Sequence, residues 1–234
     1  MKSNILITLA ALAALASSSS AETTPINWAG SINPGSPNAL GAPDGIITPI
    51  GDAIQRQLGD FLATPTLSYT NLSIFLGVSP TLLAQADIIA FEGNGGAAPA
   101  PNFGWESTRF TLSDGANLFV IDHDETLTGL APGVLATGQI SFTNYSTFFP
   151  AAAGGSDAVY SFILLDAPSN MNVASSSFTV DLKNGANIAP LMGHGEGTPD
   201  PDAIGVINIP EPTSGLLALL GAGLCLRRRT SRNA

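Results

Sequence analysis

Short segments in which apolar and polar residues alternate constrain the fold of this chain more than any other feature. The clearest example runs from Phe178 to Leu182, where Phe178, Val180 and Leu182 alternate with two polar residues. Clusters of Gly, Asn, Asp and Pro separate such segments along the chain. A period of two places apolar side chains on one face of a β-strand and polar side chains on the other. The pattern therefore predicts half-buried strands that pair in antiparallel sheets.

We predict a mainly β domain, an antiparallel β-sandwich or jelly-roll-like fold with one or two short helices. Strands do not alternate regularly with helices, which argues against a parallel α/β fold. Ala203–Ile209 is a candidate last strand. The other predicted strands are Leu67–Leu76, Asp87–Glu92, Glu106–Leu112, Asn117–Ile121, Leu135–Asn144, Ala158–Leu165 and Phe178–Leu182.

Two segments carry helix signals. Apolar residues recur at spacings of four and three over Ile50–Leu62, which predicts an amphipathic helix there. Ser79 followed by Pro80 is typical of a helix start, with Ser79 as the N-cap. By contrast, Glu22–Asp44 and Ala189–Asp202 are rich in turn-forming residues and lack periodicity, so we interpret them as a leader and a linker or surface loop.

The N-terminus has the three parts of a secretory signal peptide. Lys2 supplies the positive charge, Ile5–Ala16 is a short apolar segment, and Ser17–Ala21 supplies small residues for cleavage. Residues 1–21 are therefore predicted to be removed on export, which leaves residues 22–208 as the secreted domain.

The C-terminal residues 209–234 combine a Pro-Glu-Pro triplet, an uncharged segment and a basic cluster. Pro210 and Pro212 prevent a helix from running through the triplet. Thr213–Leu226 is uncharged and would form about 21 Å of helix, against a bilayer core of roughly 30 Å. Arg227–Arg229 follow, and such a cluster stays on the cytoplasmic side. The tail is thus a marginal transmembrane helix, suited to temporary retention.

This tail closely resembles the PEP-CTERM sorting signal of exported bacterial proteins. The resemblance covers about a tenth of the chain, and the matching residues are Pro210, Glu211, Pro212, Leu216–Leu226, Arg227, Arg228 and Arg229. It implies recognition in the inner membrane by an exosortase-type processing enzyme, cleavage near the triplet, and delivery to the cell surface or extracellular polysaccharide. Such tails are also catalogued as an ice-binding protein C-terminal domain, but no residue here supports ice binding as an activity.

Composition excludes several classes of function. The whole chain has a net charge of −10, and residues 22–208 keep only Arg56, Arg109 and Lys183 as basic residues. A surface this acidic repels phosphate backbones, so we expect no nucleic-acid partner. The single cysteine, Cys225, lies in the tail. The secreted domain therefore has neither disulfides nor thiolate metal sites, and its core alone must hold it together.

An acidic turn is the best candidate for a metal site. Asp122, Asp124 and Glu125 surround His123 just after a predicted strand, and carboxylate oxygens are ligands for a hard cation such as calcium. The segment lacks the glycine of the twelve-residue calcium loop. Charge runs like this are more often solvated turns, so both interpretations stay open and no cofactor is expected otherwise.

Other residues gave weaker indications. Asp200 and Asp202 form a second acidic pair, and the two histidines, His123 and His194, have no metal-binding spacing. No nucleophile elbow, zinc motif or phosphate-binding loop is present, so we expect no catalytic residue and no enzyme. Exposed aromatic side chains would be able to stack on sugar rings, although core packing is their commoner role; the candidates are Trp28, Tyr69, Trp105, Tyr145 and Tyr160.

The sequence thus predicts a non-enzymatic exported protein of the cell surface or extracellular matrix. One alternative is a carbohydrate-binding module, calcium-assisted, acting in extracellular polysaccharide. The other is a small secreted hydrolase with two carboxylates in a cleft, which leaves no local motif.

Overall fold

The chain folds into a mainly β structure with two antiparallel sheets and few helices. This computed structural model describes residues 22–34, 37–48, 55–61, 66–93, 104–127, 129–155, 157–185, 188 and 199–207. The predicted signal peptide (1–21) and the predicted sorting tail (209–234) lie outside the described residues. Among the residues described, no helix has the length and apolarity needed to cross a bilayer.

The first sheet has six strands and the second has five. In spatial order the first sheet contains β4 (Thr66–Thr70), β1 (Thr23–Trp28), β11 (Pro201–Ile207), β5 (Ile88–Gly93), β9 (Val159–Leu165) and β8 (Val134–Ser141). The second sheet contains β2 (Ser31–Asn33), β3 (Gln55–Gly59), β10 (Thr179–Asn184), β6 (Thr108–Ser113) and β7 (Leu118–His123).

The central strands of the first sheet are buried on both faces. Along β5, Ile88 and Ala90 belong to a core shared with the second sheet, whereas Ile89 and Phe91 belong to a core on the opposite face. The second sheet contributes alternate residues, such as Phe110 of β6, to the shared core. This arrangement explains why β5, β9 and β11 are almost continuously apolar in sequence while β6 and β10 alternate.

Short helices cover the outer face of the first sheet. They are α1 (Leu72–Leu76), α2 (Pro80–Leu83) and α3 (Phe142–Phe148), with 3-10 turns at Pro37–Ala39 and Pro150–Gly154. The helix start predicted at Ser79 is confirmed, since the Leu82 backbone N–H donates to Ser79 Oγ over 3.1 Å.

The helix predicted over Ile50–Leu62 is wrong for its described part, because Gln55–Gly59 is strand β3. β3 pairs with β2 on one side and with β10 on the other. Pairing on both edges satisfies the backbone groups that a helix would have satisfied internally. Asp60, with φ at 57°, follows the strand directly. Residues four apart lie on one face of a strand as well as of a helix, so the apolar spacing fits both structures. Pairing with β2 and β10 selects the strand.

Two predicted strands end earlier than expected, and a helix follows each. Of Leu67–Leu76, only the first residues belong to β4, and Asn71 adopts a left-handed conformation (φ 64°) before α1 begins. Of Leu135–Asn144, the strand ends at Ser141, whose Oγ accepts a 3.4 Å hydrogen bond from the Asn144 N–H as the N-cap of α3. Both turns bury apolar residues of the helices against the first sheet.

The predicted leader is part of the fold. Glu22–Asp44 supplies β1 and β2, and the side chain of Trp28 is completely buried. β1 lies between β4 and β11.

The predicted last strand is also confirmed, as β11 in the interior of the first sheet. Its first two residues, Pro201 and Asp202, fall in the segment predicted as a linker or surface loop.

Candidate functional site

The topology gathers several strand ends at one end of the sandwich. In the first sheet, antiparallel pairing places the end of β5 beside the starts of β9 and β11. In the second sheet, the start of β6 lies beside the end of β7. Carboxylates occur at or next to all five strand ends. We call this set the acidic rim, and its members are Glu92, Glu106, Glu125, Asp157 and Asp200.

Glu92 is the most buried member of the acidic rim. It lies on β5, opposite Pro201 of β11 and Ser161 of β9, and its side chain is 0% exposed. Its Oε1 accepts a hydrogen bond of 2.7 Å from the Glu106 backbone N–H, which links the two sheets. Its Oε2 is buried and has no hydrogen-bond partner among the described residues.

Glu106 and Asp200 each have one buried carboxylate oxygen without a hydrogen-bond partner among the described residues. Glu106 precedes β6, and its Oε2 is a buried atom without a hydrogen bond in the described structure. Asp200 precedes β11, and the same holds for its Oδ1. The Asp200 backbone carbonyl accepts a 3.1 Å hydrogen bond from the Gly93 N–H, which fixes Asp200 next to Glu92.

Asp157 and Glu125 complete the acidic rim. Asp157 lies so close to Gly93 that a Cβ on Gly93 would be 1.9 Å from Asp157 Oδ2, so a larger residue at position 93 would displace the Asp157 carboxylate. Glu125 follows β7 and is nearly buried, and its backbone N–H donates to Ser107 Oγ over 3.1 Å. Glu125 also lines a cavity of about 240 Å³ together with His123 and Asp124.

Burial and mutual repulsion make these carboxylates hard to ionise. Burial, followed by the neighbouring charge of Glu106, raises the pKa of Glu92 well above its usual range. Burial, followed by the charges of Glu125 and Asp200, raises the pKa of Glu106 to about 8. Burial and the charge of Asp157 raise the pKa of Asp200 to about 6. Without a counter-ion, the acidic rim therefore holds protons near neutral pH.

The two described arginine side chains bond to groups outside the acidic rim. Arg109 pairs with Asp122, with Nε and Nη2 donating to the two carboxylate oxygens over 2.6 and 2.7 Å. Arg56 donates instead to the Pro34 carbonyl. His123 is buried, and its Nε2–H donates to the Trp105 carbonyl over 2.7 Å; burial lowers its pKa, so the ring is neutral.

The structure separates the candidate metal ligands of the sequence. Asp122 and His123 belong to β7 rather than to a turn after it, and Asp122 binds Arg109. Asp124 closes its own turn, because its Oδ1 accepts from the Thr126 N–H and hydroxyl over 2.9 and 2.7 Å. Of the three predicted ligands, Glu125 is the one that belongs to the acidic rim.

Sequence analysis missed Glu92, Glu106 and Asp157. Each is a single acid, and a single acid carries no motif. The available signal was their position at strand ends: Glu92 and Glu106 are end residues of predicted strands and Asp157 directly precedes one, but these ends meet only once the pairing is known. His194 lies outside the described residues.

Four of the five aromatic candidates for sugar stacking have no exposed ring in the described structure. Trp28, Trp105, Tyr145 and Tyr160 are each 0% exposed. Tyr69 is partly buried and stacks on Phe148, with ring centroids 5.6 Å apart. Core packing is therefore the role of these residues.

Asp202, the second acid of the predicted pair, has a structural role. It is 1% exposed on β11, and its Oδ2 accepts from the Tyr145 hydroxyl over 2.5 Å and from the Gly45 N–H over 3.1 Å. Its Oδ1 accepts from the Asp44 N–H over 3.3 Å. Burial raises the pKa of Asp202 to about 7, although these hydrogen bonds oppose the shift. Asp202 thus fastens the segment after β2 to the first sheet.

We expect Tyr145→Phe to lower the free energy of unfolding by about 1–2 kcal/mol, because the buried Asp202 carboxyl loses its hydroxyl donor. Tyr160→Phe is the matched control: Tyr160 stacks on Tyr145 with centroids 3.9 Å apart, but its own hydroxyl makes only a long 3.4 Å hydrogen bond to the Gly45 carbonyl. Urea unfolding measures both variants. An equal loss of unfolding free energy in the two variants would show that the hydrogen bond from Tyr145 to Asp202 does not stabilise the fold.

No protein-family model, curated protein or solved structure matches this chain. Its function must therefore be inferred from its own residues and their arrangement.

Proposed function

We propose that this chain is an exported protein of the cell surface or extracellular matrix, with no enzymatic activity of its own. One observation carries the proposal: a Pro-Glu-Pro triplet, an uncharged segment and an arginine cluster occur in this order at the C-terminus of a chain that begins with an export signal. Three independent elements in a fixed order are more specific than any one of them.

The properties of the domain support this proposal. Residues 22–208 lack cysteine, so oxidising conditions outside the cell form no disulfide in the domain. Two sheets share a large apolar core, which stabilises such a domain without disulfides. In this proposal the domain is a jelly-roll-like sandwich with an acidic surface suited to solubility.

Each part of the tail has a separate role in the proposed route. Pro210, Glu211 and Pro212 form the extended segment that an exosortase-type enzyme recognises. Leu216–Leu226 holds the protein transiently in the inner membrane, and Arg227–Arg229 keep the chain end in the cytoplasm. Cleavage near the triplet then releases the domain to the surface or to extracellular polysaccharide.

We expect the native protein, isolated from outside the cell, to begin at Glu22 and to end close to Pro212. Intact-mass analysis measures both ends at once. Glu211→Ala is the informative variant, because it keeps the apolar segment and the arginines and should leave the tail attached in the membrane fraction. A native extracellular mass that includes Arg232 would contradict processing.

The two alternatives make demands on the domain itself. A carbohydrate-binding module needs exposed aromatic rings, whereas Trp28, Trp105, Tyr145 and Tyr160 are buried. A hydrolase needs two carboxylates facing a cleft. Asp124 and Glu125 both line one cavity, but Asp124 Oδ1 is already bonded to the Thr126 N–H and hydroxyl, and Glu92 is fully enclosed. For these reasons we propose neither.

A further inference from the structure

The end of the first sheet at which β11 stops is also the end at which β1 starts. Ile26 of β1 pairs with Ile207, the last residue of β11, in antiparallel register. The Asn71 N–H donates to the Glu22 carbonyl over 3.2 Å, so the start of the domain lies beside the end of β4. The predicted signal peptide and the predicted sorting tail therefore leave the fold at one edge of the sheet.

The neighbouring strands complete this edge through a row of backbone hydrogen bonds. The Ile207 N–H donates to the Asp87 carbonyl over 2.8 Å, and the Asp87 N–H donates to the Leu165 carbonyl over 2.9 Å. The Asp166 N–H donates to the Gly133 carbonyl over 2.9 Å. We call this end of the first sheet the exit edge, and its members are Glu22, Thr70, Asp87, Asp166 and Ile207.

We propose that the exit edge faces the membrane surface and contacts its lipid headgroups while the tail is held in the bilayer. The acidic rim, at the opposite end of the sheet, then points away from the membrane. This inference rests on the proposed function, because it requires the tail to be embedded. It adds which surface of the domain the membrane meets, and the tail sequence alone does not determine that surface.

The length of chain between the fold and the apolar segment carries the proposal. β11 pairs with β1 and β5, and all seven of its residues are buried, so the fold holds the chain in place as far as Ile207. Five residues separate Ile207 from Thr213, where the uncharged segment begins. The six residue steps between them span at most roughly 20–22 Å. The exit edge thus stays within this distance of the point where the chain enters the bilayer.

The opposite end of the sheet is much farther from that point. β9 runs between the two ends, and a strand rises by roughly 3.3 Å per residue, so Ala158 and Asp166 are about 26 Å apart. Pro210 and Pro212 fix two φ angles of the connecting segment, which restricts the chain from folding back. An orientation with the acidic rim on the headgroups would require the chain to turn back past the whole sheet.

The chemistry of the exit edge suits amine-bearing headgroups better than anionic ones. The side chains of Glu22 and Asp166 are exposed there, and Asp87 is half-buried. All basic residues of the secreted domain lie instead on strands of the second sheet; they are Arg56, Arg109 and Lys183. Carboxylates at the edge accept hydrogen bonds from ammonium groups, whereas anionic headgroups repel them. The tail therefore supplies the attachment, and the exit edge supplies the contact.

The test uses the full chain in vesicles, with one fluorophore at either end of β9. Cys225→Ser removes the native thiol, and Asp166→Cys or Ala158→Cys places the label at an exposed position on the exit edge or at the far end. The vesicles contain phosphatidylethanolamine, phosphatidylcholine and a lipid with a nitroxide on its headgroup, which quenches nearby fluorophores. We expect quenching at position 166 to exceed that at position 158 by roughly twofold or more, because about 26 Å of strand separates the two labels.

Flotation of the vesicles separates this inference from the proposed function. A chain that does not float with the vesicles would contradict retention by the tail, and the orientation with it. A chain that floats but shows equal quenching at both positions, or stronger quenching at position 158, would overturn the orientation alone. If Asp166→Cys fails to fold, Thr70→Cys at the exposed end of β4 repeats the measurement on the same edge, with the same expected quenching.

The lipid composition tests the chemistry of the contact. Replacing phosphatidylethanolamine by phosphatidylglycerol removes the amine and adds negative charge, so quenching at position 166 should fall while the chain still floats. Quenching at position 158 is the internal control and should change less. Equal quenching at position 166 in both kinds of vesicle would overturn the contact between the exit-edge carboxylates and amine-bearing headgroups.

Discussion

Trp28→Ala is expected to lower the free energy of unfolding by about 3–5 kcal/mol, a large part of the stability of a typical domain. Trp28 is fully buried on β1 and packs on Tyr69, Phe91 and Phe149, with ring centroids 6.1–6.5 Å apart. A Cβ at Gly205 would lie 2.8 Å from its ring, so the indole fills its space closely. Removing it leaves a cavity that this packed surrounding cannot fill.

Urea unfolding followed by circular dichroism measures this loss. Trp28→Phe is the matched control, because it keeps an aromatic ring in the same core and should cost clearly less than the alanine variant. A large loss for Trp28→Ala and a smaller one for Trp28→Phe would show that β1 is required for the stability of the first sheet. A loss below about 1 kcal/mol for Trp28→Ala would show instead that β1 contributes little, as expected of a leader segment.

Alternation in the sequence predicted β6 and β10 of the second sheet, because these strands bury one face and alternate strictly between buried and partly buried residues. In the first sheet, β5 and β9 were also found, since they are apolar segments of strand length bounded by turn residues. What these segments have in common is that burial alone determines their pattern.

The errors arose where long-range pairing determined the structure. Gln55–Gly59 has a spacing that suits either a helix or a strand, and its partners β2 and β10 are distant in the chain. Thr23–Trp28 contains Pro25 and few apolar residues, so it lacked a strand signal of its own. Its position between β4 and β11 gives it partners on both edges. No local window contains that information.

The acidic rim was beyond prediction for a similar reason. A cluster of adjacent acids such as Asp122–Glu125 attracts attention in a sequence, but only Asp122 of these acids belongs to a strand. Asp122 bonds to Arg109, which is opposite it on β6, whereas Glu125 lies beyond the end of β7, at the rim. The remaining members come from four other strand ends, and only the pairing of both sheets brings them together.

In the absence of divalent cations, the domain is expected to become less stable as the pH rises from about 5 to about 8. Glu106 has a pKa of about 8 in the fold and Asp202 one of about 7, both raised chiefly by burial above their ordinary values of 4.5 and 3.8. Between those limits the unfolded chain has released protons that the folded chain still holds. Stability is therefore greatest below the unfolded pKa values and is lost as the pH rises through the folded ones.

Other titrating groups do not reverse this direction. Burial lowers the pKa of His123. His123 therefore has the opposite effect, and its own contribution stabilises the fold as the pH rises through the pKa of the unfolded histidine. The pKa of Asp114 is lowered by hydrogen bonds from Asn117, and it acts only at more acidic pH than this window. Glu92, whose pKa burial raises strongly, adds to the effect of Glu106 and Asp202.

Thermal unfolding in chelator should show a midpoint lower by roughly 5 °C or more at about pH 8 than at about pH 5. Glu92→Gln should flatten this dependence, because it removes the titration of Glu92, whose pKa burial raises well above its usual range. Asp122→Asn should leave the slope unchanged, since Asp122 is already paired with Arg109 and belongs to no part of the rim. A midpoint that rises over this range would mean that the rim carboxylates are ionised in the fold and compensated by another charge.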